Sequence, residues 1–197
     1  MVSSETVGAE TVGVESGSVE SGSTERPART TLLPVGPQLR PVVERLAQLY
    51  RHDMSEFLGY LPSPDGTFEF GRLPLFFDEP GRSALLIRYG SAPAGFVLTR
   101  PMPGGATSIS AFFVVRALRR RGVGREAALQ LLRSRPGAWA IAFQPANAGA
   151  ARFWRGVATA AVGSDWREES RPVPASVTAN APDDQWILLD TESPSPR

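Results

Sequence analysis

The chain's 197 residues, 42% of them hydrophobic, suit one compact domain with tails and are too few for two full-sized domains. With no cysteine and a single histidine, His52, the sequence excludes disulfides, a thiol nucleophile and a multi-histidine metal site, so no metal is expected. All 21 cations are arginine, yet the formal net charge is only +1, which argues against a nucleic-acid partner, and no run approaches the ~18 apolar residues of a membrane helix.

Residues 1–30 differ from the rest. Glutamate recurs every fifth position, at Glu5, Glu10, Glu15, Glu20 and Glu25, with Ser, Gly, Thr and Val between. A pentad matches neither the helical nor the strand period, so no apolar face forms to offset an ordering entropy of ~1–2 kcal/mol per residue. The expectation is a disordered acidic tail over 1–30, a folded domain over 31–190 and a second loose tail over 191–197. The opening Met1-Val2-Ser3-Ser4-Glu5 lacks the basic residue and apolar run of a secretory signal, and a cytoplasmic protein is expected.

Pro41 suits the first turn of a helix, with Val43, Leu46, Tyr50 and Phe57 on one face and Gly59 closing it. A short element follows over Leu73 to Phe77. Ala84 to Tyr89 and Gly95 to Leu98 read as two strands joined by a turn, and Ser108 to Val115 as a third. A helix is predicted from Gly124 to Arg133, a buried strand over Trp139 to Phe143 and a short helix from Ala148 to Arg155. Two last strands, near Asp165 to Glu169 and Gln185 to Asp190, flank a Pro-rich loop. Helix, antiparallel strands, then strand–helix units make a single α/β domain with a mixed central sheet flanked by helices.

Chemistry concentrates between Phe112 and Arg125. A strand of large apolar residues runs into Arg116-Ala-Leu-Arg119-Arg120-Arg121-Gly122-Val123-Gly124-Arg125, where five arginines meet a glycine turn that opens a helix. Free amides at a helix start, with glycines allowing close backbone approach, suit a pyrophosphate. Neither the lysine-bearing phosphate loop of nucleoside triphosphatases nor the GxGxxG dinucleotide pattern is present.

Arg119-x-x-Gly122-x-Gly124 after a strand, followed beyond the next strand by Asn147-x-x-Ala150-x-x-Phe153, resembles the GNAT superfamily of acyl-CoA-dependent N-acetyltransferases. Tyr50-x-x-Asp53-x-Ser55, the Phe-Phe-Val strand end and Phe153-Trp154 resemble in particular a bacterial group of predicted acetyltransferases of unassigned substrate. The resemblance implies that acetyl-CoA is the co-substrate. Its pantetheine arm would lie along Phe113, Val114 and Val115, with Asn147 beside it. Its pyrophosphate would sit on Arg120, Arg121, Gly122, Val123, Gly124 and Arg125. It also implies direct transfer to an amine of a small-molecule acceptor.

An alkyl amine of pKa ~10.4 is only about one part in a thousand neutral at pH 7, so transfer is helped by a base. The family's usual glutamate and tyrosine have no counterpart here: the matching slots hold Ser110, Ala111 and Trp154. The first helix offers His52, Asp53 and Glu56 as substitutes; His52 and Glu56 lie four apart on one face, and a solvated pair is their bland alternative. A domain that keeps the fold and cofactor but not turnover is the alternative function. An exposed strand edge leaves room for a homodimer.

Overall fold

The protein is represented by a computed structural model that describes residues 28–172 and 183–192. The expectations for 1–27, for most of the Pro-rich loop and for 193–197 lie outside the described residues.

Twelve elements follow one another: β1 (Thr30–Pro34), α1 (Arg40–Leu58), α2 (Leu75–Asp78), β2 (Ser83–Tyr89), β3 (Ala92–Pro101), β4 (Thr107–Val114), a 3-10 turn (Arg116–Leu118), α3 (Val123–Ser134), β5 (Ala138–Phe143), α4 (Ala148–Val162), β6 (Trp166–Arg171) and β7 (Asp184–Asp190). The strands form one seven-stranded sheet in the order β1-β2-β3-β4-β5-β7-β6. All neighbours are antiparallel except β4 and β5.

The alternation of each strand sends its side chains to two cores. On one face, Leu86, Phe96, Leu98, Ala111 and Phe113 pack with Val43 and Ala47 of α1 and Phe76 of α2. On the other, Val97, Ile109, Trp139, Ile141, Ile187 and Leu189 pack with Ala128 and Leu132 of α3 and Trp154 and Val157 of α4. Each fully buried side chain of Leu or Phe size contributes roughly 1.5–3 kcal/mol, so the two layers together hold the sheet. Over β5, β7 and β6 the first face carries no helix, and Trp186 and Leu188 stay half-buried there.

Two elements differ from the sequence reading. β1 pairs with β2 from Thr30↔Tyr89 to Pro34↔Leu85, forming an edge strand where no element is predicted. The last helix does not stop at Arg155 but runs to Val162, because Val157, Ala158 and Val162 continue the buried face of Ala151 and Trp154 past Gly156. Thr191, placed in a loose tail by the sequence, exchanges hydrogen bonds with the backbone of Gly137 at 3.0 and 3.2 Å.

Two irregularities position the site. The parallel pairing of β4 with β5 covers only Thr107↔Trp139, Ser108↔Ala140 and Ile109↔Ile141, after which the strands part. Between β3 and β4 the register shifts so that Leu98 faces Ala111 and Thr99 faces Ile109, leaving Ser110 as the extra residue of a bulge. Beyond the bulge the two strands press together. A Cβ at Gly95 would lie 1.9 Å from the Phe113 carbonyl oxygen, so only glycine fits there.

Candidate active site

The wedge between β4 and β5 is the centre of the site. The Val115 amide donates to the Ala94 carbonyl at 2.9 Å, so by strand alternation Val115 and Phe113 turn their peptides toward β3, and Val114 and Phe112 turn theirs into the wedge. Arg119 Nε already donates to the Val114 carbonyl at 2.8 Å. The Val114 amide and the Phe112 peptide are thus the main-chain groups of β4 that line the opening. Of the three residues assigned to the cofactor arm, Val114 alone presents its backbone there. Phe112, Phe153 and Trp154 wall the α4 side, with ring centroids 4.8–5.5 Å apart.

The turn after β4 has an unusual backbone. Arg120 takes φ 60 and Gly122 φ 84, both left-handed, so the chain curls before Val123 starts α3. A non-glycine residue in this region costs of order 1–3 kcal/mol, and Arg120 bears it where the fold over-determines the turn. No side chain caps α3; its first bond runs from the Glu126 amide to the Gly122 carbonyl at 2.9 Å. The first-turn amides of Val123, Gly124 and Arg125 therefore have no acceptor among the described residues.

The five arginines divide into two sets. Arg116 donates to Asp53 of α1 at 2.7 and 3.1 Å, and Arg119 binds the other carboxylate oxygen. Burial alone would raise the Asp53 carboxyl, but the hydrogen bonds and charge of the two guanidiniums outweigh it and hold the group below its ordinary value. These two arginines brace the turn against α1, and Asp53 is the shared acid partner that the local sequence does not show. Arg120, Arg121 and Arg125 remain exposed around the uncapped amides. The Arg121 guanidinium lies 5.7 Å over the Tyr89 ring at the end of β2.

Asn147 has a structural role of its own. It is the N-cap of α4, its Oδ1 accepting from the Ala150 amide at 2.9 Å, which leaves only its side-chain NH2 free to donate. Its own amide donates to the Gln144 carbonyl at 2.9 Å. On the helix-free face of the sheet, Gln144 also meets Asp184 at the start of β7. Burial pushes the Asp184 carboxyl up, a hydrogen bond from Gln144 opposes the shift, and nearby Asp183 adds to it. Asp184 has no ion pair among the described residues. Sequence reading misses it because one acid at a strand start carries no pattern.

His52 and Glu56 stand on the exposed face of α1. His52 Nδ1 is 3.9 Å from Asp53 Oδ1, and its ring meets Phe68 edge-on at 6.0 Å. Tyr50, two residues before His52, points inward among Phe70, Phe96 and Phe113, where burial pushes its hydroxyl up to about 12 and keeps it neutral. Ser110 is exposed at the bulge and Ala111 is buried. A cavity of about 600 Å³ lined by Met102, Ala138, Trp166 and Leu188 lies at the opposite ends of β4 and β5, remote from the arginine turn. No group of three or more His, Cys, Asp or Glu able to hold a metal occurs among the described residues, and none of their helices is long and apolar enough to cross a membrane.

Thus β4 parts from its parallel neighbour and leads into an uncapped, arginine-ringed helix start. Residues 44–157, more than half of the chain, match the model of the acetyltransferase (GNAT) family, and the protein belongs to it. A search of curated proteins finds no match. Among solved structures, a probable acetyltransferase of the GNAT family from Chromobacterium violaceum superimposes with TM-score 0.62 at 17% identity, covering 93% of this chain and 98% of that one. An acetyltransferase from Thermus thermophilus gives 0.59 at 18% identity over 82% and 96% of the two chains. An aminoglycoside N(6')-acetyltransferase from Legionella pneumophila gives 0.59 at 12% identity over 85% and 95%. At these identities the likeness is one of fold.

Proposed function

We propose that this chain moves an acetyl group from acetyl-CoA directly to a primary amine of a small molecule. The observation that carries the reading is the uncapped start of α3, preceded by two left-handed residues, ringed by Arg120, Arg121 and Arg125 and opening on the wedge. That arrangement fits a diphosphate in charge and donor geometry. Acetyl-CoA supplies an activated thioester; everything else falls to the protein.

In this reading the turn anchors the diphosphate, and Arg116, Arg119 and Asp53 hold the turn in place. The wedge takes the extended arm, with the Val114 amide aimed at the thioester oxygen and the Asn147 side-chain NH2 beside it. The aromatic wall of Phe112, Phe153 and Trp154 keeps water from that side. The acceptor approaches over the helix-free face. As its nitrogen forms the new C–N bond, the C–S bond breaks, the electron pair leaves on the CoA sulfur, and the amine proton passes to Asp184. Its raised proton affinity makes it a better base than an ordinary aspartate. The Legionella protein is named for acting on aminoglycosides, which supports a cationic small-molecule amine as the acceptor class.

Ser110, Ala111 and Trp154 support a second reading, an acyl-CoA-binding domain without turnover. Titration calorimetry with acetyl-CoA, followed by thiol release across aminoglycosides, polyamines and amino-terminal peptides, separates the two. Binding with release on one amine class establishes the enzyme. Binding without release on any selects the second reading, and absent binding removes both.

A further inference from the structure

The first β-strand brings the acidic N-terminal segment to the edge of the arginine turn. Thr30 pairs with Tyr89, and the Gly90 amide donates to the Arg29 carbonyl at 2.9 Å. Ala28 stands against Gly90, where an added Cβ would meet the Ala28 Cβ at 3.4 Å. Tyr89 is the ring beneath the Arg121 guanidinium. The described chain therefore starts beside Gly90, the neighbour of the tyrosine on which Arg121 lies. Gln130 of α3 ties the same strand down, its Nε2 donating to the Thr30 carbonyl at 2.9 Å.

We propose that residues 1–27 occupy this turn, their glutamates competing there with the phosphates of CoA. The inference rests on the acetyl-CoA reading and adds regulation to it. Charge complementarity favours this occupant: residues 1–27 hold five glutamates against one arginine. Asp53 holds both Arg116 and Arg119 in ion pairs, leaving that trio one net positive charge, while Arg120, Arg121 and Arg125 are exposed and have no carboxylate partner among the described residues. The acid nearest them, Glu126, engages the Gln130 amide at 3.3 Å.

Reach is sufficient. At ~3.3–3.6 Å per residue, Glu25 extends about 10 Å from Ala28 and Glu20 nearly 30 Å. The five-residue spacing then makes the acids near-equivalent alternatives rather than one lock. A tethered carboxylate works at an effective concentration of about a millimolar. Each contact is weak and screened by salt, with a Debye length of ~10 Å at 0.1 M. The segment thus acts as a graded competitor that metabolite-level CoA displaces.

The test uses the full chain and a full-length variant with Glu5, Glu10, Glu15, Glu20 and Glu25 all changed to Gln. CoA itself is the probe, titrated by calorimetry at about 20 mM and about 500 mM salt. Tighter binding by about three- to tenfold in the Gln variant at low salt, shrinking to parity at high salt, is the expected result. Equal affinities at low salt overturn the proposal while leaving the acetyl-CoA reading intact. No CoA binding by either form overturns the reading and the proposal together. A difference that grows with protein concentration assigns the contact to a second copy and overturns the intramolecular tether.

Discussion

Two helices begin at the rim of the same wedge, and they begin differently. α4 starts at Asn147, which satisfies a first-turn amide with its own side chain. α3 starts at Gly122, in a left-handed conformation, with no side-chain cap. One helix start is capped by a side chain of the protein; the other keeps its donors and adds three exposed arginines. A free first turn forgoes about 1 kcal/mol of capping, and a left-handed Arg120 adds strain. Both costs fall on the turn proposed to receive the anion, and the neighbouring helix supplies rigidity.

The contrast predicts which changes harm chemistry, which harm binding and which chiefly harm stability. Asp184→Asn has the largest effect: thiol release falls about 10²-fold while acetyl-CoA affinity is unchanged. In the wild type the acid limb of kcat/KM lies above the ordinary aspartate range, because burial pushes that carboxyl up, and the variant loses the limb. The stability sign is the reverse of a salt bridge. Since the fold disfavours ionised Asp184, stability is lost as pH rises through its folded pKa, so the Asn variant melts higher than wild type at pH 7. The gain should vanish once the pH drops below the ordinary carboxyl range. A variant with normal turnover removes Asp184 from the mechanism.

Gly122→Val comes next. Its Cβ meets no neighbour, so the penalty is the left-handed backbone alone, about 1–2 kcal/mol. Acetyl-CoA affinity should fall roughly tenfold by calorimetry, because relaxation of that strain turns the amides away. Asp53→Asn frees Arg116 and Arg119 and should weaken acetyl-CoA several-fold. The Asp53 carboxyl is held below its ordinary value, so its contribution is present above the unfolded pKa near ~3.9 and is lost as pH falls through the folded one. Melting curves between pH 6 and 3 should therefore converge at the acid end. Smallest is Asn147→Ala, a cap loss of about 1 kcal/mol that lowers Tm by roughly 2–4 °C, while loss of its NH2 donor beside the arm weakens acetyl-CoA by no more than about threefold. A tenfold affinity loss in Asn147→Ala alongside an unchanged Gly122→Val would invert the comparison.

Local features are legible in the sequence, and long-range ones are not. Strands such as Ala84 to Tyr89 and the buried Trp139 to Phe143 declare themselves by apolar runs between turn residues. The glycine-arginine turn is readable because strand, turn and helix start are consecutive. β1 leaves no such mark, since Thr30-Thr31-Leu32-Leu33-Pro34 is short, ends in proline and exists only through its pairing with β2. Gly156 makes α4 read short, although the buried spacing of Trp154, Val157 and Ala158 carries it onward. The bracing of Arg116 and Arg119 joins residues 63 and 66 positions from Asp53, a separation that no local pattern spans. Asp184 depends on the register of β7 against β5, which places it beside Gln144.

The two ends of the sheet differ in what they permit an experimenter. β7 finishes at Asp190 opposite Ala138, at the foot of β5, while the described N-terminal strand begins next to Tyr89 and the arginine turn. An affinity handle or surface linkage fused after Asp190 sits far from the turn, whereas one placed ahead of Thr30 crowds it. Immobilised by its C-terminal side, the protein should capture nucleotide-bearing probes freely.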